Sequence, residues 1–252
     1  KYFRQPVNIG AQNNYNFCLA RAHGAYFLLL HDDDLIDPDF VDVCVDAVNG
    51  STGVGIIRTG TRLIDAVGAV QRQVFNRVGG WSTADFFLGW FSGATALYLC
   101  STLYKTQGLQ DRGGFQSPRR LFNDAVATVR LAAQLGRADV YDVKASFRRH
   151  GSSGGSVSGI REWCEDSLFL LDVMCQLAPD RQAEIRNKGL RYLCDQNYGR
   201  VRRRTGKRLY AYLVVYRMFG YRRSPLRSFF LGQVFRSRRY LERKLHGVLS
   251  GT

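Results

Sequence analysis

Hydrophobic positions along this chain change period several times, and each change predicts an element. Residues 13–21 are polar with helical spacing, and residues 25–30 (Ala-Tyr-Phe-Leu-Leu-Leu) form a short unbroken apolar run. Such a run is the pattern of a strand covered on both faces. It stops abruptly at His31-Asp-Asp-Asp34. Pro38 follows and suits the first turn of a helix over 39–48. Asn49, Gly50 and Gly53 mark a turn, and residues 54–58 read as another strand. A strand, an acidic corner, a helix and a further strand together predict an α/β layered sheet. Ligands of such sheets bind at the carboxyl ends of the strands, where the three aspartates stand.

Residues 86–104 contain no charge, which raises the question of a membrane span. Gly89, Ser92, Gly93, Thr95, Ser101 and Thr102 argue against one. The period also changes from helix-like (Phe86, Phe87, Trp90) to strand-like (Leu97, Leu99), so the pattern predicts a buried helix, turn and strand. Gly113-Gly-Phe115 then leads to a helix over 123–135, and residues 140–147 alternate like a strand before Arg148-Arg-His150. The glycine-serine run 151–156 reads as a flexible loop by composition. Beyond Ile160 the pattern is helical to the end. Ser224 and Pro225 suit the N-cap and first turn of a last helix, whose apolar positions Leu226, Phe229, Phe230, Leu241, Leu245 and Val248 recur at helical spacing.

Composition adds two constraints. With 252 residues and 45% hydrophobic content the chain can bury one sizeable core, with a smaller helical appendage. Six cysteines form no CxxC pair, so a zinc site is not indicated; they read as small buried hydrophobes in a reducing, cytoplasmic setting. The net charge of +15 is uneven: residues 181–252 carry 19 Lys or Arg against three acids, and the rest of the chain is nearly neutral. A basic tail of this kind calls for an anionic neighbourhood. The organisation expected is a catalytic domain over 1–159 and a basic helical region over 160–252.

Three aspartates at the end of a buried strand repel one another, and a divalent cation relieves that repulsion. Asp32, Asp33 and Asp34 are therefore candidate ligands or outer-sphere partners of Mg²⁺ or Mn²⁺, hard ions that keep open positions for phosphate oxygens. A solvated acidic turn that caps the following helix is the alternative, and Asp37 and Asp39 read that way. Arg148 and Arg149 could fork to phosphate oxygens beside a mobile loop, and His150 could ligate a metal or bond a phosphate. Trp81, Trp90 and Phe91 could stack on a sugar, although core packing suits aromatics in so apolar a stretch.

The order of these motifs resembles glycosyltransferase family 2. Gly10, Asn14 and Asn16 are followed by Ala22, Gly24 and Tyr26, the apolar residues 28–30, the acidic Asp32 to Asp34, and Pro38. Further on stand Gly113-Gly-Phe115, Asn123-Asp124 and Arg148-Arg-His150. The resemblance spans about residues 8–155. It implies a GT-A-like (Rossmann-like) mixed sheet flanked by helices, with a C-terminal helical extension. It also implies a nucleotide-sugar donor, a glycan or lipid-linked acceptor, and an inverting, metal-assisted displacement with Asp124 as general base. A helix N-terminus lowers a carboxylate's pKa, so this base would be weak unless desolvated; a plain N-cap is its alternative role. Two departures stand out: His31 replaces a common Asp, and Asn123 replaces the usual Glu. The family's opening strand and P-x-Y-N-like turn have no counterpart here, so the reading expects that part to lie upstream of Lys1 or on another chain.

Two other classes compete with the enzyme. The chain could be a catalytically inactive relative, or a binding protein whose basic region holds nucleic acid or an anionic surface. No nucleic-acid motif accompanies the arginines, and arginines beside Leu and Phe on a helix suit an anionic membrane surface, which would place the protein peripherally at the cytoplasmic face.

Overall fold

The computed structural model describes residues 1–49, 53–149, 159–203, 208–220, 224–226 and 229. Among them a mixed sheet runs in the order β1 (Tyr26–Leu28), β5 (Thr102–Lys105), β3 (Ile56–Ile64), β6 (Arg137–Arg148) and β2 (Leu35–Ile36), with β4 (Val70–Val74) paired to the far half of β3. Only β3 and β6 are parallel; every other pairing is antiparallel. This is the helix-flanked mixed α/β arrangement that the resemblance implied.

Alternation along the strands divides the core. Ile56 and Tyr104 face one layer, and their neighbours Ile57 and Leu103 face the other, as the two-residue strand period requires. The smaller layer holds α2 (Phe40–Asp46) through Phe40 and Cys44. On the larger side lie α1 (Ala11–Leu19), α3 (Thr83–Ser92), α4 (Thr106–Gln110) and α5 (Asn123–Leu135). The C-terminal helices α6 (Ile160–Leu177), α7 (Gln182–Arg203) and α8 (Arg208–Met218) bury Leu170, Ile185 and Tyr212 in that same cluster, beside Phe86, Trp90 and Leu131. All six cysteines are free, and all but Cys18 are buried.

The charge-free stretch resolves into a helix, a turn and a strand, but the strand starts only at Thr102: Leu97 and Leu99, read as strand positions, lie before it, Leu99 in a short 3-10 turn. Ser82 caps α3 by accepting from the Asp85 amide at 3.1 Å, Gly93 ends it with a left-handed φ of 82°, and β5 follows. No helix among the described residues is long and apolar enough to cross a membrane. The apolar run at 25–30 departs from its expectation: β1 is three residues long, half-buried and at one end of the strand order, and Leu30 is exposed. Pro38 stands just outside α2. Asp39 occupies the N-cap position, but its carboxylate makes no capping bond and pairs instead with Lys144. His150, the run 151–156 and most of the last helix lie outside the described residues.

One buried charge network shapes the cleft described below. Arg58, on β3, is fully buried and donates to the Ala96 carbonyl; burial lowers its pKa to about 10. Asp139 offsets that cost, being ion-paired to Arg137 at 2.8 Å and bonded by Asn76 at 2.9 Å. Both guanidiniums lie over the Phe86 ring.

Candidate active site

The site is assembled by long-range bonds from four regions. Asn16, on α1, clamps the glycine turn: its side-chain oxygen accepts from the Phe115 amide at 2.8 Å and its amide donates to the Phe115 carbonyl at 3.1 Å. Gly114 passes so close that a Cβ there would lie 2.3 Å from that oxygen, and its φ of 74° suits glycine besides. The loop from this turn to α5 is held from the other side by Asp166, a fully buried carboxylate on α6. It accepts from the amides of Arg119 (2.7 Å), Leu121 (2.8 Å) and Phe122 (3.1 Å) and from the Ser117 hydroxyl (2.6 Å). Multiple charge-assisted bonds of this kind fix a loop firmly. Asp124 is thereby set at the start of α5.

The acidic corner follows β1, and its residues diverge. Asp32 is exposed. Asp34 is buried, and one of its oxygens accepts from the Arg148 amide at 2.9 Å, which ties the corner to the end of β6. Burial pushes the Asp34 carboxyl above the usual carboxylate range, and that amide bond and His31 only partly offset it. His31, Asp33 and Asp34 present ligand atoms within 4.8 Å of one another. The His31 Nε2 atom is buried without a hydrogen-bond partner, which is uncommon in a folded interior, while the Asp34 carboxylate also meets the Cys100 thiol. One imidazole and two carboxylates fit a divalent cation of the Mn²⁺ or Mg²⁺ kind, the imidazole leaning towards Mn²⁺.

The two centres face a single cleft of about 870 Å³, lined among others by His31, Asp34, Asp124, Tyr98, Arg149 and Trp163. Tyr15 stands between them. Its hydroxyl pKa is pushed up to about 12 by burial and then by the charges of Asp124, Asp34 and Asp33, and its ring lies 5.4 Å from that of His31. Desolvation also raises the Asp124 carboxyl above the usual carboxylate range, against the helix-start amides that lower it. Asp124 itself is half-buried and lines the cleft, so burial works against the pKa-lowering effect of the helix start there.

The basic pair separates. The Arg148 guanidinium is engaged by three carbonyls, those of Asp33 (2.8 Å), Asp65 (3.1 Å) and Ala66 (3.2 Å), and so binds the corner to the β3–β4 turn. Arg149 lines the cleft and donates to the Tyr98 hydroxyl at 3.3 Å. Trp90 and Phe91 also line the cleft, whereas Trp81 lies outside it. Sequence reasoning passed over His31 as a ligand, Tyr15, Asp166 and the Trp163–Arg200 pair. Only His31 carried a local signal, its place next to the aspartates.

A search of curated proteins found no match to the chain. Residues 1–88, the stretch that holds α1, the acidic corner and β3, match the family model described as Glycosyl transferase family 2. The similarity to glycosyl transferase family 2 thus rests on the span that carries His31, Asp33 and Asp34.

Proposed function

We propose that the protein transfers a sugar from a nucleotide-sugar donor to a glycan or lipid-linked acceptor, with inversion at the anomeric carbon. The observation that carries this reading is the shared cleft, with a cation-competent corner and a desolvated carboxylate facing one another. His31, Asp33 and Asp34 would hold Mn²⁺ or Mg²⁺, and the ion would supply positive charge against the leaving diphosphate. Arg149 adds a fixed cation at the same end of the cleft, and Arg148 keeps the corner's shape. Asp124 accepts the proton of the acceptor hydroxyl as that oxygen bonds to the anomeric carbon and the bond to the diphosphate oxygen breaks. Tyr15 and Phe115 exclude water beneath the corner, their rings 5.9 Å apart.

Incubation with UDP-, GDP- and dTDP-sugars in the presence of Mn²⁺, with release of free nucleoside diphosphate as the readout, tests the reading. Release from at least one donor is expected, and it should rise when a glycan acceptor is added. No release from any of them would leave the cleft without this chemistry.

We also propose that the basic C-terminal region holds the enzyme at the cytoplasmic face of a membrane with anionic lipid. Residues 181–252 carry a net +16, and Leu209, Tyr210 and Leu213 on α8, with Leu226 beyond it, are exposed. Phe229, by contrast, packs on Tyr212, with ring centroids 6.0 Å apart. Each Lys or Arg near anionic lipid contributes about 1 kcal/mol, and exposed apolar side chains add burial at the headgroup boundary. Co-sedimentation with anionic vesicles at low salt, falling at high salt and absent with neutral vesicles, is the expected result. Equal, negligible sedimentation with both kinds would assign the region to the enzyme's own body.

A further inference from the structure

The cleft holds both signs of charge. Its acids, Asp34 and Asp124, belong to the corner and the base, and Arg72 and Arg200 line it as well. Arg72 sits on β4 opposite Leu63, and Leu63 sits opposite Phe147 on β6. Residues directly opposite share a sheet face, so Arg72 lies on the cleft face about 10 Å from Phe147, two strand spacings away. Its guanidinium reaches the carbonyl end of α3, with one nitrogen 3.7 Å from where a Gly93 side chain would begin. That end of a helix favours a cation.

Arg200 enters from α7. Its guanidinium lies 3.9 Å from the Trp163 ring centroid and 5.6 Å from that of Phe122, and these two rings pack edge to face at 5.4 Å. Cation–π attraction to the indole holds this guanidinium at the cleft wall. Between the two arginines stands Tyr192, whose hydroxyl feels both of them and whose ring packs at 5.0 Å on Trp90.

Phe122 is two residues before Asp124. An acceptor whose hydroxyl reaches Asp124 therefore has its next groups over the Trp163–Arg200 shelf and towards Arg72. Aromatic faces suit sugar rings, and guanidiniums beside them, which can donate to any sugar hydroxyl, bond a charged group more strongly. A carboxylate or phosphate on the acceptor would answer them with charge-assisted, forked hydrogen bonds. Long-range attraction by a chain of net +15 would also speed the capture of an anionic glycan.

We propose that the acceptor is an anionic glycan, carrying a carboxylate or a phosphate next to the sugar that receives the new bond, and that Arg72 and Arg200 recognise that charge. The proposal rests on the glycosyltransferase reading. It assigns Arg72 and Arg200 to acceptor specificity and leaves Arg149 to the donor end.

The test is equilibrium binding of the full chain to three probes at fixed ionic strength. They are a glucuronate-containing tetrasaccharide, the same tetrasaccharide with its carboxyls reduced to alcohols, and N-acetylglucosamine 1-phosphate. At least one charged probe is expected to bind about tenfold or more tightly than the neutral one, the size of a charge-assisted contact. Which of the two does so identifies carboxylate or phosphate as the charge recognised. Arg72→Gln, at an exposed position, should erase most of that preference without changing Tm, and Arg72→Gln/Arg200→Gln should erase all of it. Equal affinity for charged and neutral probes overturns the proposal. So does a failure of both charged probes to bind, or a charge preference that survives Arg72→Gln in a folded protein. Failure of the transferase reading is seen separately, as absent nucleoside diphosphate release with binding preferences intact.

Discussion

Asp124→Asn is expected to lower kcat by roughly a hundredfold or more while leaving donor affinity nearly unchanged, as expected on losing a general base. The substitution keeps the shape of the side chain at the start of α5. It also keeps the local frame, in which the Asn123 side-chain oxygen accepts from the residue 124 amide at 2.8 Å and the Thr128 hydroxyl donates to the residue 124 carbonyl at 2.9 Å. What it removes is the proton acceptor. Because desolvation raises the Asp124 carboxyl, the fraction in the base form should fall as pH drops through that raised value. The acid limb of the wild-type kcat/KM profile should therefore lie above the ordinary carboxylate range of about 4. Asp124→Asn should flatten that limb. Steady-state kinetics across pH, with donor Kd measured separately, check both parts. A variant that turns over at near wild-type rate would reassign Asp124 to helix capping.

Removal of divalent cation should abolish transfer, and Mn²⁺ or Mg²⁺ should restore it. A diphosphate leaving group beside Asp33 and Asp34 would otherwise gain negative charge against two carboxylates, an unfavourable approach in a partly buried site. Asp33→Asn is the cleaner probe, because Asp34 also holds the Arg148 amide and its loss would disturb the corner. Asp33→Asn should raise the Mn²⁺ concentration needed for half-maximal activity by about tenfold or more. A readout independent of activity is the Mn²⁺-induced rise in Tm, which Asp33→Asn should shrink. In wild type that rise should grow with pH. The Asp34 carboxyl is raised in the folded state, so protons compete with the ion below that value and the competition is lost as pH rises through it. Full activity in excess chelator would sink the metal assignment, and an Asp32→Asn variant with the same defect as Asp33→Asn would move the ligand set.

Features that depend on neighbours within a turn or two were legible along the chain. The spacing over 123–135 reproduced α5 from Asn123 to Leu135, because its apolar face at helical period is a local property. The helix in the charge-free residues 86–104 was legible for the same reason, with Gly93 supplying the left-handed stop, whereas the strand begins at Thr102, past the Leu97 and Leu99 that suggested it. The acids were placed at the end of a strand, and the carboxylate at a helix start was marked as a weak base unless desolvated. The length and coverage of β1 were misjudged, since an apolar run does not reveal which strands pair beside it.

Which of these groups come together depends on contacts between distant parts of the chain. Asp32, Asp33 and Asp34 are equivalent in sequence; they became different when Arg148, 114 residues from Asp34, fixed one carboxylate and Asp32 was left in solvent. Arg148 and Arg149 parted for the same reason, one engaged by loop carbonyls and the other turned into the cleft. The loop that leads into Asp124 is anchored by Asp166, a residue of a later helix. Periodicity records which side of an element is buried, but burial of a particular charge depends on which distant surfaces close over it. That closure is a sum of long-range contacts that no local pattern encodes.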